Sequence, residues 1–350
     1  MGFKPKCLAT SIGSLPHKEP RRAVELVLES LPRIPAWPQL PRRRFEENMC
    51  AQFSEGMPCL IVDSRKQKVH FDTSGDRISE LERFYDRSAA EDLDYFAISE
   101  RYASGFHAFL EYLQERSYPN LLYLKGQVTG LVTFGLTVLD KNGRASLYDD
   151  NLSDLILKAL CMKAKWQIKR LKEIGKNVII FIDEPGLSTI GSAFFNLNRA
   201  KIVQQLNTLV EAIHSRNGTA GIHCCGNTDW PMLLATDIDI LSFDAYNFAD
   251  SIILYPEEIK EFLARDGTLA WGIVPASEAA FQETAQNLVS RLESGMGILV
   301  ERGLDKGGLL ESCLVTPSCG TGLLSVQLAE RVLALTHEVS DILKSKYFKI

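Results

Sequence analysis

The sequence predicts an α/β chain folded as a (β/α)8 TIM barrel. Three observations predict it. Short apolar runs alternate with longer amphipathic ones about eight times, and that rhythm gives parallel strands joined by helical crossovers. Some of the short runs, such as NVIIFI at 177–182, are apolar after their first residue, as strands covered on both faces are. The residues best suited to chemistry fall at the ends of these runs, where a barrel gathers them around one mouth. A doubly wound sheet would instead want a glycine-rich phosphate loop after an early strand, and Ile12-Gly13-Ser14 is too poor in glycine to be one.

Taken in order, residues 7–12 read as a strand, 20–31 as a helix and 37–40 as a weak second strand. Residues 41–118 break the rhythm. They hold β-branched patches at 59–62 and 69–71 and helical spacing over 102–114, and are read as an excursion between strands two and three. The rhythm then becomes regular. Strands are expected at 121–124, 177–182, 220–224, 238–243, 268–274 and 308–315. Helices are expected at 155–174, closed by Gly175, at 201–216, closed by Asn217-Gly218, and at 256–264, opened by Pro256. Two more are expected at 284–302 and 324–343. The whole, 1–350, reads as a single catalytic domain, a length at which α/β barrels commonly form one.

Composition narrows the function. With 45% hydrophobic and 24% charged residues and a net charge of -5, the chain has the make-up of a soluble protein without a basic stripe for nucleic acid. Arg42-Arg43-Arg44 is too short to change that and reads as a solvated face or a local phosphate or carboxylate contact. No apolar run approaches the roughly 20 residues that span a bilayer, and residues 1–10 hold no signal-like stretch, so a cytoplasmic location is expected. The eight cysteines are then expected as free thiols, with Cys7, Cys50, Cys59, Cys161 and Cys313 as small buried hydrophobes.

The strongest chemical signal is Gly221-Ile222-His223-Cys224-Cys225-Gly226-Asn227-Thr228 at a strand end. Side chains two apart on a strand share a face, so His223 and Cys225 point together and Cys224 turns away. Cys319 lies just past the last strand, and Asp244 ends the strand after His223. A histidine, two thiolates and a carboxylate are a zinc-type set. A His-x-Cys pair alone is often structural, but ligands drawn from distant strand ends favour a catalytic ion over a zinc knuckle. Asp183-Glu184-Pro185 places two carboxylates at another strand end. They suit an ammonium group, a metal or acid–base work, or else a helix cap, and alternation lets at most one face the mouth. Ile12-Gly13-Ser14 can offer backbone N–H groups and a hydroxyl to a carboxylate, or is an ordinary turn.

Together these motifs resemble the catalytic barrel of cobalamin-independent methionine synthase, in a short form with that barrel alone, within the wider group that includes uroporphyrinogen decarboxylase. The resemblance rests on Ile12-Gly13-Ser14-Leu15-Pro16, Ile182-Asp183-Glu184-Pro185, His223-x-Cys225 and Ser318-Cys319-Gly320. It implies one zinc per chain on His223, Cys225 and Cys319, with Asp244 standing, one methylene shorter, where the family has a glutamate ligand. It implies homocysteine as substrate, its carboxylate at Ile12, Gly13 and Ser14 and its amino group on Asp183, the catalytic carboxylate. A further substrate-binding glutamate falls at Glu47, with Glu46 fitting nearly as well. Where the family carries a histidine for the folate leaving group, this chain reads Gly272-Ile273-Val274-Pro275, and the folate-packing tryptophan after Gly130-Leu131-Val132-Thr133 falls at about Thr137. His223 to Thr228 also resembles zinc thiol methyltransferases that take methyl groups from corrinoid proteins. The implied reaction is methyl transfer to homocysteine, giving methionine, from methylcobalamin or a related corrinoid, most naturally protein-bound, in place of methyltetrahydrofolate. The alternatives are a corrinoid-dependent enzyme for another thiol such as coenzyme M, a uroporphyrinogen decarboxylase-like enzyme, or a non-catalytic zinc- or corrinoid-binding protein.

Overall fold

In the computed structural model, residues 3–189 and 198–349 are described. Six parallel strands form one curled sheet in chain order: β3 (Tyr123–Thr129), β4 (Asn177–Asp183), β5 (Thr219–Cys224), β6 (Ile240–Phe243), β7 (Thr268–Val274) and β8 (Cys313–Pro317). Every connection between them carries a helix, which is what lets neighbouring strands run parallel. The two N-terminal segments expected as strands contribute isolated parallel bridges and no ladder. Ala9 bridges Val315 of β8, Ala36 bridges Lys125 of β3, and Ser14 bridges Gln39. The chain explains why these pairings stay short. Cys7 has φ 61 and Gly13 φ 136, and Pro35 and Pro38 have no N–H to donate.

The sheet separates two cores. Ile12, Ile34, Ile179, Phe181, Ile240, Ala270 and Leu314 form a small cluster within the curl. The larger cluster lies between the outer face and the helices and includes Val178, Ile180, Ile222, Leu241 and Val315. Strand alternation carries the inner face toward the C-terminal ends, where its residues turn polar: Lys125 and Gln127 after Tyr123, Asp183 after Phe181, Ser242 after Ile240, Thr316 after Leu314.

The excursion has its own structure. The patches near residues 60 and 70 pair as an antiparallel hairpin, β1 (Leu60–Asp63) with β2 (Lys68–Phe71). The helix Ser104–Glu115 stands where helical spacing predicts one and packs against Pro20–Ser30. One expected strand is corrected. Residues 308–315 begin as the end of a helix, Lys306–Glu311, capped by Asp305 accepting from the Gly308 N–H, and the strand occupies only Cys313–Pro317. A short buried apolar run fits either state by pattern. β3 also runs five residues past its expected end, because Lys125, Gln127 and Thr129 end the apolar pattern while still pairing with β4.

Candidate metal centre

Register builds the site. Asp183 pairs with His223 and His223 with Ser242, so three neighbouring strands bring these side chains into one row at their C-terminal ends. Cys225 follows β5 directly and Cys319 follows β8. One ligand atom each from His223, Cys225 and Cys319 lies within 4.8 Å of the others. The Nδ1 of His223 is 3.0 Å from the Ser242 hydroxyl, and its buried Nε2 has no hydrogen-bond partner. This fixes the ring and leaves the nitrogen facing the thiols free to ligate. Cys224 is turned away and buried, its thiol donating to the Gly226 carbonyl at 3.5 Å.

The two site thiols shift in opposite directions. The hydrogen bond from Cys319, aided by His223 and opposed by burial, brings the Cys225 thiol down to about 4. The same bond, with burial, pushes Cys319 well up. One thiolate beside a bare imidazole nitrogen and a second thiol is a donor set that fits a zinc ion.

A cavity of about 290 Å³ opens above these groups, and its lining includes Ile12, Ser14, Glu47 and Asp183. Asp183 is buried with Oδ1 unpartnered. Burial pushes its carboxyl up to about 6, against the pull of Lys125 and His223. Burial likewise draws the Lys125 ammonium down to about 7, against the pull of Asp183. A wider groove of about 610 Å³ lies outside the curled sheet between the helices Asp150–Lys172 and Arg199–His214, but it is open and holds none of the site residues.

The other expected residues sort themselves by their bonds. Glu47 lines the cavity, accepts from Ser104 Oγ at 2.9 and 2.8 Å and pairs with Arg43 at 3.0 Å. Glu46 is turned to Arg101 at 2.6 Å and Ser64 at 3.1 Å. The structure does not bring Asp244 into the ligand group. Its carboxylate caps the helix Ala245–Ile252, accepting from Asn247 N at 2.9 Å and Nδ2 at 2.7 Å. Glu184 faces the other way, as alternation requires. It accepts from Val132 N, Thr133 N and Thr133 Oγ1 at 2.9, 2.7 and 2.6 Å and so holds the start of the helix Leu131–Thr137. At the turn, Thr321 donates twice to the Ser14 carbonyl, and the Gly322 N–H donates to Ser14 Oγ at 3.2 Å. Arg42 reaches across to the Leu323 carbonyl, while Arg43 makes the carboxylate contact that the arginine run suggested.

No family model matches the chain. A curated methionine synthase from Methanocaldococcus jannaschii is 25% identical over 248 residues, which cover 67% of this chain and 74% of that protein. In sequence the chain is thus similar to a methionine synthase. In three dimensions it is similar to a solved B12-independent methionine synthase from Shewanella sp. W3-18-1, in complex with selenomethionine. The TM-score is 0.57 with 14% identity, covering 98% of this chain and 99% of the other, a likeness of fold. Among the described residues no helix is long and apolar enough to cross a membrane.

Sequence reasoning missed Lys125, Gln127, Ser242 and the Thr321–Gly322 contacts. The available signal was the polar alternation of Lys125-Gly126-Gln127-Val128-Thr129, which interrupts an otherwise apolar strand.

Proposed function

We propose that this methionine synthase-like chain is a zinc-dependent methyltransferase that places a methyl group on the sulfur of homocysteine, forming methionine, with a methyl-corrinoid as donor. The observation that carries this reading is the meeting of His223, Cys225 and Cys319 in the lining of one cavity. When bound there, zinc supplies a positive centre beside which a thiol of ordinary pKa about 8.5 is ionised near neutral pH. The chain's own groups do the rest. Asp183, with one oxygen unpartnered, receives the substrate ammonium. The Ile12-Gly13-Ser14 turn receives the carboxylate, with the Ser14 hydroxyl oriented by the Gly322 N–H. Glu47, held by Ser104 and Arg43, borders the same space. Fixing both ends of the amino acid leaves its sulfur one direction of approach, and positioning of that kind supplies much of the rate. The sulfur forms the new bond to the methyl carbon as the old bond breaks, its electron pair staying with the donor. A corrinoid leaves without being protonated, which suits a site that has Gly272 to Pro275 in place of the folate histidine.

We read residues 1–350 as one catalytic unit, with 41–118 as an excursion. The segments around Ala9 and Ala36–Gln39 stand in for the first two of eight barrel strands. Free thiols throughout suit a reducing, cytoplasmic compartment. The test is a methyl-transfer assay on zinc-loaded protein, pairing homocysteine or coenzyme M with methylcobalamin or methyltetrahydrofolate. Turnover of homocysteine with methylcobalamin is expected. Turnover with the folate alone would transfer the donor role to it, the reading that the B12-independent solved relative favours. Failure of every pairing would leave a zinc-binding protein without this activity.

A further inference from the structure

Lys125 is a fully buried cation inside the barrel that the reaction as described does not use. Its Nζ donates to the Ile12 carbonyl at 2.8 Å, lies 3.4 Å from Gln127 Oε1 and stands 4.3 Å from the centre of the Phe181 ring. Among the described residues no carboxylate lies within ion-pair distance of it. A buried ammonium without a paired anion is costly to keep.

What it holds is the turn beneath the cavity. The peptide group is planar and trans, so a carbonyl of Ile12 drawn inward to Lys125 turns the Gly13 N–H the opposite way. That N–H is buried and has no acceptor among the described residues, which is rare for a backbone donor. Gln127 keeps the arrangement in place. Its Nε2 donates to the Trp37 carbonyl at 3.1 Å, and a Cβ on Gly13 would lie 2.6 Å from its Oε1. A cation on the carbonyl of a peptide also strengthens the N–H of the same peptide as a donor. Across the cavity floor, one strand away, lies the unpartnered Oδ1 of Asp183.

We propose that Lys125 is a positioning residue that makes the cavity complementary to a zwitterionic thiol, turning and polarising the Gly13 N–H toward the substrate carboxylate while Asp183 takes the ammonium. This rests on the homocysteine reading and deepens it. The substrate supplies the missing anion. Thiols without a carboxylate are rejected by the same device, because they leave the Gly13 N–H and the Lys125 charge uncompensated.

The test uses Lys125→Met and Lys125→Gln in the full chain. L-Homocysteine and cysteamine, which keeps the amine and thiol but lacks the carboxylate, serve as acceptors with methylcobalamin. In Lys125→Met the KM for homocysteine is expected to rise by about tenfold with a smaller change in kcat, as for loss of one charge-assisted contact. With the uncompensated charge gone, cysteamine kinetics are expected to improve, while the zinc content stays as in the wild type and both variants melt at or above the wild-type temperature. An unchanged preference for homocysteine over cysteamine would overturn the proposal. So would loss of fold or a lowered melting temperature in both variants, since the lysine would then serve the fold. If the wild type methylates neither thiol, the homocysteine reading fails and this proposal falls with it. Wild-type turnover with unaltered variants removes this proposal alone.

Discussion

The ligand set depends on single atoms. Ser242 touches no ion, yet its hydroxyl at 3.0 Å from His223 Nδ1 decides which ring nitrogen is free. Ser242→Ala is therefore expected to weaken zinc binding by about tenfold or more while leaving the fold intact, as measured by competition with a chromogenic chelator. Cys225→Ser and Cys319→Ser remove a thiol each and are expected to lower bound zinc from about one per chain toward zero after dialysis, the outcome that the proposed three-ligand site requires. Full zinc and full activity in both would show the ligands to be elsewhere. At this scale the sequence was most legible where covalent order alone sets direction. Strand parity separates His223 from Cys224 and Asp183 from Glu184, and the structure keeps both separations. Asp244 was not legible, because its type and place suit a ligand as well as a cap, and only the hydrogen bonds to Asn247 distinguish the two. Lys125 was hidden for the opposite reason: a charge in an apolar run reads as the end of a strand.

At the scale of elements, the helix Asp150–Lys172 carries a second buried lysine, Lys163, whose Nζ has no hydrogen-bond partner. Burial brings its ammonium down to about 8 from 10.5, only partly offset by Glu55. The unfolded chain therefore holds this proton up to a higher pH than the folded one, so wild-type stability should rise between about pH 8 and 10.5. Lys163→Met removes the cost. It is expected to stabilise the protein by up to roughly 3 kcal/mol below pH 8, the advantage fading toward pH 10.5, as read by chemical denaturation across that range. A constant difference at all pH values would refute the assignment. The turn at Gly13 makes a prediction of the other sign. An alanine there meets both a φ of 136 and the Gln127 side chain, so Gly13→Ala is expected to cost about 1–3 kcal/mol in the same assay and to raise the KM for homocysteine. Elements bounded by glycine, proline or caps were read closely, as Pro256–Ala264 and Thr268–Val274 show. The segment before β8 was not, since Leu309 and Leu310 are buried in a helix as they would be in a strand.

For the whole molecule, the alternation of strand and helix predicts an eight-stranded barrel, and the structure shows six of those strands as one curled parallel sheet. The alternation could not show how the first two strands would thin to single bridges, because that follows from local backbone conformation and missing N–H donors near Pro35 and Pro38. The division into an inner core of seven side chains and an outer core under the helices has a functional consequence. The inner cluster fills the base of the curl, and the cavity with the three candidate ligands lies at the C-terminal side.

The proposed reaction requires that His223, Cys225 and Cys319 share one zinc with room for an incoming sulfur. X-ray absorption at the zinc edge of the zinc-loaded protein, with and without homocysteine, tests it most directly. Two sulfurs and one histidine nitrogen from the protein are expected, and a third sulfur when homocysteine is added. A zinc shell without protein sulfur, or one that homocysteine leaves unchanged, would contradict it.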